Sequence, residues 1–145
     1  MSTVEQFLTP EEEKAVVAAI QDAEKATSGE IRVHLEKTLD KVAMERALEV
    51  FHQLNMTATA QRNGVLIYVA VESRQFTICG DQGIHEKVTA TFWDATKEVM
   101  QAYFRQGENC KALCEGIRLA GEQLKSYFPY QEDDQDELSN EISKG

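Results

Sequence analysis

Four polar groupings hold the side chains from which chemistry could be built. They are Ser28-Gly29-Glu30, Arg62-Asn63-Gly64, Gly80-Asp81-Gln82-Gly83, and an acidic run with Glu132, Asp133, Asp134, Asp136 and Glu137. Hard divalent cations bind several oxygens at once, drawn from carboxylates, amide and backbone carbonyls and water. Asp81, Glu30, Asn63, Glu132, Asp133, Asp134, Asp136 and Glu137 are therefore candidate ligands for Ca2+ or Mg2+. Each grouping also has a plainer explanation. Asp in a Gly-Asp-x-Gly loop is commonly a turn residue, Glu30 an outward strand residue, Arg62 a turn charge, and an acidic tail a solvated one. Convergence in space is what would make them a site.

The elements that must supply this convergence show in the periodicity. Thr9-Pro10-Glu11-Glu12 opens a helix, with Thr9 as N-cap and Glu12 closing a capping box. Ala15, Val16, Ala19, Ile20 and Ala23 then recur at helical spacing until Thr27-Ser28-Gly29. Next the period is two: Ile31, Val33 and Leu35 alternate with Glu30, Arg32, His34 and Glu36, which predicts a half-buried strand. A second helix is expected from about Asp40, with Ala43, Ala47, Val50, Phe51 and Leu54 inward. Asn63-Gly64 reads as a turn into VLIYVAV, the apolar run of a central strand, and Glu72-Ser73-Arg74 as a turn into a third strand, Gln75 to Cys79. Val88, Phe92, Ala95, Val99 and Tyr103 form a helical stripe that Gly107 breaks. Leu113, Ile117, Ala120, Leu124 and Phe128 form the next, and Pro129 stops it. A short fourth strand is expected near residues 55–61 or 36–40.

This order predicts an α/β protein in which helices cover both faces of a small mixed sheet. Residues 1–130 form the domain, and 131–145 are an acidic extension too poor in apolar side chains to fold alone. A strand–helix–strand crossover makes the first two strands parallel, and the tight connection at 72–74 makes the third antiparallel. The starts of the first two strands and the end of the third then share one end of the sheet. That end gathers Glu30, Arg62, Asn63, Asp81 and Gly83, and the acidic segment is placed to fold over the same rim. Truncation after Tyr130 is expected to leave the fold intact.

Composition limits the partners. The chain has 145 residues, 42% of them hydrophobic, with two prolines and a formal charge of −10, half of it in residues 131–145. Without clustered Lys and Arg to displace counterions, DNA and RNA are excluded as partners. Neither a secretory signal at the N-terminus nor an apolar run of membrane-spanning length is seen, so a cytoplasmic monomer without membrane insertion is expected. Three cysteines without a C-x-x-C fit reduced thiols. Cys110 and Cys114 share a stripe with Leu113 and Ile117 and read as core packing. P-loop and H-E-x-x-H motifs are missing, and Cys79 lacks the arginine six residues on that a cysteine phosphatase needs. Asp134 and Asp136 begin like an EF-hand, but Leu138 and Ser139 occupy the fifth and sixth positions. Of the histidines, His34 and His52 read as structural or surface residues, and His85, after the Asp81 loop, is the one nearest the candidate chemistry.

TSGEIRVHLEK, RNGVLIYVAVESRQFTICGDQGI, Phe92-Trp93, the Met and Phe before Gly107, and LKSYFPY together resemble the TPM domain family, from about Glu5 to Tyr130. The following QEDDQDEL is similar to the acidic extension of one branch. The resemblance implies a three-layer α/β/α sandwich. It also implies calcium binding or phosphatase activity, with Asp81 in GDQGI and Glu30 in SGEI the best-matching metal-loop residues and the tail acids weaker matches.

The activity implied is that of a divalent-cation-dependent phosphohydrolase acting on small phosphorylated compounds, nucleoside di- and triphosphates among them. Asp81 and Glu30 would ligate the ion or take a proton from the attacking water. Arg62 would hold the phosphate, with Asn63 and Gly83 lining the substrate. The alternatives are a calcium-binding or adaptor module without catalysis, and a domain whose acidic tail docks on a basic protein. Fold alone does not decide among them.

Overall fold

The period-two run at residues 30–36 becomes the strand around which the rest is arranged. The computed structural model describes residues 3–130 and 138–145. In it, β1 (Glu30–Glu36) pairs in parallel with β2 (Gly64–Ala70), from Glu30 opposite Gly64 to Glu36 opposite Ala70. The crossover between them carries α3 (Ala43–Gln53), after α1 (Thr3–Gln6) and α2 (Pro10–Glu24). β3 (Gln75–Gly80) returns antiparallel to β2, with Gly80 opposite Val65. The expected meeting of two strand starts and one strand end at one end of the sheet is therefore realised.

Three layers follow from where the apolar side chains go. Ile31, Val33, Leu35, Val65, Ile67, Val69 and Ile78 face a core shared with Val16 and Ile20 of α2, Met100 of α5 (Asp94–Arg105), and Leu113, Ile117 and Leu124 of α6 (Asn109–Tyr127). The opposite face carries a smaller core, in which Leu66, Tyr68, Ala70 and Cys79 pack with Ala47, Val50 and Phe51 of α3. The Thr9 capping box forms as read: the Thr9 hydroxyl accepts from the Glu12 N–H at 3.1 Å, and the Glu12 carboxylate accepts from the Thr9 N–H at 2.8 Å.

The structure departs from the sequence reading in several places. The fourth strand is β4 (Ser143–Lys144), at neither expected position; it adds parallel to β1 and completes the order β3-β2-β1-β4. The acidic extension thus ends inside the sheet, and Leu138 packs against the smaller core. β1 is not half-buried, because Glu30, His34 and Glu36 are covered as fully as their apolar neighbours. The first stripe after the Asp81 loop does not run as one helix. A single turn, α4 (Gln82–His85), is followed by irregular chain before α5. α5 buries Thr96 and Met100 rather than Ala95 and Val99, which are exposed. Asn63-Gly64 is not the turn dipeptide either: Arg62 takes the left-handed conformation (φ 51°), and Gly64 already belongs to β2.

Candidate functional site

At the loop end of the sheet, Arg62, Asp81 and Gly83 come into direct contact. Asp81 follows β3, its N–H donating to the Gly64 carbonyl at 2.9 Å. Its carboxylate caps α4 by accepting from the Gln82 N–H at 2.7 Å. The same carboxylate takes both prongs of the Arg62 guanidinium, Nε to Oδ2 at 2.8 Å and Nη2 to Oδ1 at 3.0 Å. The pair is asymmetric in exposure, with the Asp81 side chain 5% exposed and that of Arg62 44%. Gly83 donates its N–H to the Arg62 carbonyl at 2.8 Å. A Cβ there would stand 2.2 Å from the Gln61 carbonyl oxygen, so only glycine admits the two loops this closely.

Asn63 is buried one residue on. Its N–H donates to the Thr59 hydroxyl and its side-chain amide to the Ser28 hydroxyl at 3.3 Å, beside a Gln61-to-Ser28 bond of 3.1 Å. Its carbonyl accepts from the Glu30 N–H at 3.4 Å, which ties the start of β1 to the Arg62 loop. The Glu30 carboxylate is engaged elsewhere: Oε1 accepts from the Leu138 N–H at 2.7 Å. Four of the five predicted residues therefore lie along one connected rim, while Glu30 joins it through its backbone. The tail acids Glu132, Asp133, Asp134, Asp136 and Glu137 lie outside the described residues.

The donor set decides how well a hard cation would be held. Among the described residues, no group of three or more His, Cys, Asp or Glu side chains is placed to hold a metal ion. Asp81 already has a cation on both oxygens, namely Arg62. Neutral oxygens are available nearby in Ser28, Gln61 and Asn63, but these alone give too little ligand charge for Ca2+ or Mg2+. A fit requires the Arg62 prongs to be released from Asp81 and the acidic run to add carboxylates.

Thiol chemistry has no support. Burial pushes the Cys79 thiol up to about 11 and the Cys114 thiol up to about 12. Neither is a thiolate at neutral pH. Cys110 and Cys114, with sulfurs 3.9 Å apart, pack against the main core as read. His85 is exposed at the end of α4.

A family model for the TPM domain matches residues 2–123. The chain belongs to the TPM domain family. It is similar over the full length of both chains to the NMR structure of the BA42 protein from the psychrophilic bacterium Bizionia argentinensis, at 56% identity and a TM-score of 0.92. Likeness of fold alone, at 15% and 14% identity, extends to two N-terminal domains. One, from a P. gingivalis protein, has a TM-score of 0.69 with 86% of this chain and 82% of that one covered. The other, from the Corynebacterium glutamicum cg2496 protein, has a TM-score of 0.62 with 95% and 81% covered. No curated protein sequence matches the chain. Among the described residues, no helix of this TPM domain is long and apolar enough to cross a membrane.

One polar cluster of the TPM domain was missed from the sequence. His34 and Glu36 lie two apart on β1, on the α3 side of the sheet. The Glu36 carboxylate receives Arg46 of α3, Nε at 2.8 Å and Nη2 at 2.9 Å, together with the Tyr68 hydroxyl and the His34 ring. The other ring nitrogen of His34 meets the Ser143 hydroxyl at 2.9 Å. Burial opposes the charge on Glu36, but the bonds from Arg46, Tyr68 and His34 outweigh it and hold the carboxyl down at about 2. Burial lowers His34 from its ordinary value, so the ring is neutral at pH 7. A signal for this existed in the sequence: in a sheet covered on both faces, the polar residues of a central strand must be buried and paired.

Proposed function

We propose that this TPM domain binds Ca2+ or Mg2+ at the loop end of its sheet, between Asp81, Glu30 and the acidic run. One observation carries this above all: both ends of the run are pinned on residues 27–30. Before it, the Phe128 carbonyl accepts from the Ser28 N–H at 2.9 Å and from the Thr27 hydroxyl, and Pro129 bridges Thr27. After it, the Leu138 N–H reaches Glu30. Seven residues, 131–137, span this gap, and five of them are acids. Carboxylates brought close together gain most from a divalent ion, and the proposal is that these five meet Asp81 and Glu30 there.

Hydrolysis of small phosphorylated compounds, nucleoside di- and triphosphates among them, is the activity this site would support. A bound ion would neutralise phosphate oxygens and polarise a water. Arg62, released from Asp81 and already well exposed, is then the group to grip phosphate through two parallel N–H bonds. Asp81, once Arg62 leaves it, and Glu30, whose Oε1 also accepts from the Leu138 N–H, would ligate the ion or accept the water's proton.

The test is a calorimetric Ca2+ titration of EDTA-stripped protein, with phosphate release from a nucleotide panel measured in parallel. A dissociation constant of about 10⁻⁴–10⁻³ M is expected, as for loops without an EF-hand's ligand density. Converting Glu132, Asp133, Asp134, Asp136 and Glu137 to their amides should weaken it at least about tenfold by removing ligand charge. Phosphate release should vanish with EDTA and in Asp81→Asn. Absence of both binding heat and a melting shift at millimolar Ca2+ would overturn cation binding. Binding without phosphate release would leave a non-catalytic calcium module.

A further inference from the structure

The far end of the sheet carries a second concavity that takes no part in the loop-end rim. A cavity of about 790 Å³ opens where the β2–β3 turn meets α1 and the junction of α5 and α6. Phe7, Val71, Phe76 and Phe104 form an apolar side of it, and Gln75, Gln101 and Asn109 add neutral polar groups. Phe104 is the centre of that apolar side, its ring centroid 5.0 Å from Phe76 and 6.3 Å from Phe7. Two exposed arginines also line it, Arg74 in the β2–β3 turn and Arg105 at the end of α5.

The charge of this cavity runs against that of the molecule. Among the described residues no carboxylate lines it, in a chain of net charge −10. Of the other four arginines three sit on carboxylates, Arg46 on Glu36, Arg62 on Asp81 and Arg118 on Glu115. Arg74 and Arg105 make no ion pair among the described residues. Arg74 is held in the left-handed conformation (φ 53°), which in a non-glycine turn residue is a backbone cost. Two cations beside a half-buried aromatic wall suit a ligand with one anionic head and one apolar body. The cavity is of the size that takes small organic ligands, roughly 300–1,000 Å³.

We propose that this cavity is a binding site for a soluble amphiphilic monoanion of the carboxylate class. The head pairs with Arg74 and Arg105, and the alkyl or aromatic body lies on Phe7, Phe76 and Phe104. Arginine suits the head, since its planar fork meets a carboxylate with two parallel bonds. The body contributes through the apolar area it removes from water.

Octanoate is the probe, with octan-1-ol as the uncharged molecule of the same body, each titrated into isotope-labelled full-length protein by NMR. Octanoate should shift the amides of Phe76, Phe104 and Gly107 saturably, and bind at least about tenfold more tightly than octanol. The Arg74→Gln/Arg105→Gln double variant should erase that difference while melting like the parent, because both side chains are exposed. No saturable shift at millimolar octanoate would overturn the proposal. So would equal affinity for octanoate in the double variant. Adherence to phosphatidylglycerol vesicles with no response to free octanoate would also overturn it, in favour of a membrane surface.

Discussion

Arg62 holds Asp81 by two prongs, at 2.8 and 3.0 Å, and stands where a cation ligated by Asp81 would have to come. Removing the guanidinium removes the competitor. Arg62→Gln is therefore expected to tighten Ca2+ binding several-fold in calorimetry while abolishing any phosphate release. An arginine that simply braces the loop would leave Ca2+ affinity unchanged. Asp81→Ala should lose metal binding and also the α4 cap, at a cost of about 1–2 kcal/mol in urea denaturation.

Gly83 permits the approach of the two loops that make this rim. A methyl there would lie 2.2 Å from the Gln61 carbonyl oxygen and 2.6 Å from that of Arg62, both backbone atoms that cannot swing aside. Gly83→Ala should cost about 1–3 kcal/mol by overpacking. It should also move the amide resonances of Arg62 and Asp81 together. A variant with parental stability and unshifted resonances would mean the loops are not packed this tightly.

Acid should loosen the buried cluster on β1. Glu36 drops from 4.5 to about 2 in the folded protein, and His34 lies below its ordinary 6.5. The groups facing them are Arg32, Arg46, Tyr68 and Ser143. In both cases the unfolded chain binds more protons over the interval, so stability falls as pH falls. The loss begins below about 6.5 with His34 and steepens below about 4.5 with Glu36, whose full shift corresponds to about 3 kcal/mol. Urea denaturation from pH 8 to pH 3 reads this directly. Glu36→Gln, less stable at pH 7, should close more than half of its gap to the parent by pH 3, with full convergence only below about 2, and a constant gap between the two would contradict the cluster.

Ile67 tests the sheet. It is fully buried in the middle of β2, opposite Val33 on one side and Ile78 on the other. Ile67→Ala should cost about 2–5 kcal/mol from lost transfer energy and the cavity left behind. A variant that melts like the parent would remove Ile67 from the core.

What could be read in the sequence was whatever is encoded locally or by a short connection. The Thr9 cap, the alternation at Ile31, Val33 and Leu35, and the Leu113-to-Phe128 stripe each rest on neighbours along the chain. Crossover handedness and the tight turn at 72–74 then placed Arg62 and Asp81 at one end, nineteen residues apart yet bonded. Long-range pairing was hidden. Nothing near Ser143 predicts an edge strand, since two residues have no period. Glu36 looked outward because its partners, Arg46 and Tyr68, come from elements with no local relation to it. The α5 face was misjudged by one position because α4 ends after a single turn, which resets the helical phase ahead of Thr96 and Met100.

The C-terminal residues give the most discriminating experiment, since the sequence alone presents them as a dispensable acidic tail. In the structure they are the outer edge of the sheet. The Gly145 N–H donates to the Leu35 carbonyl at 2.8 Å, Ser143 meets His34, Leu138 packs beside Phe51 and Met56 in the smaller core, and its N–H reaches Glu30. Truncation after Tyr130 would leave the buried Glu30 and His34 without these bonds, each such loss costing about 1–3 kcal/mol. It would also bare the edge of β1, the kind of unpaired strand that recruits other chains. Truncation should therefore lower the denaturation midpoint strongly and promote association in sedimentation. Amide replacement of Glu132, Asp133, Asp134, Asp136 and Glu137, which keeps every bond made by residues 138–145, should change stability by less than about 1 kcal/mol. Parental stability in the truncated protein would mean that β4 contributes nothing to the fold. A large loss in the amide variant would place those acids inside the fold's own bonding and away from a metal.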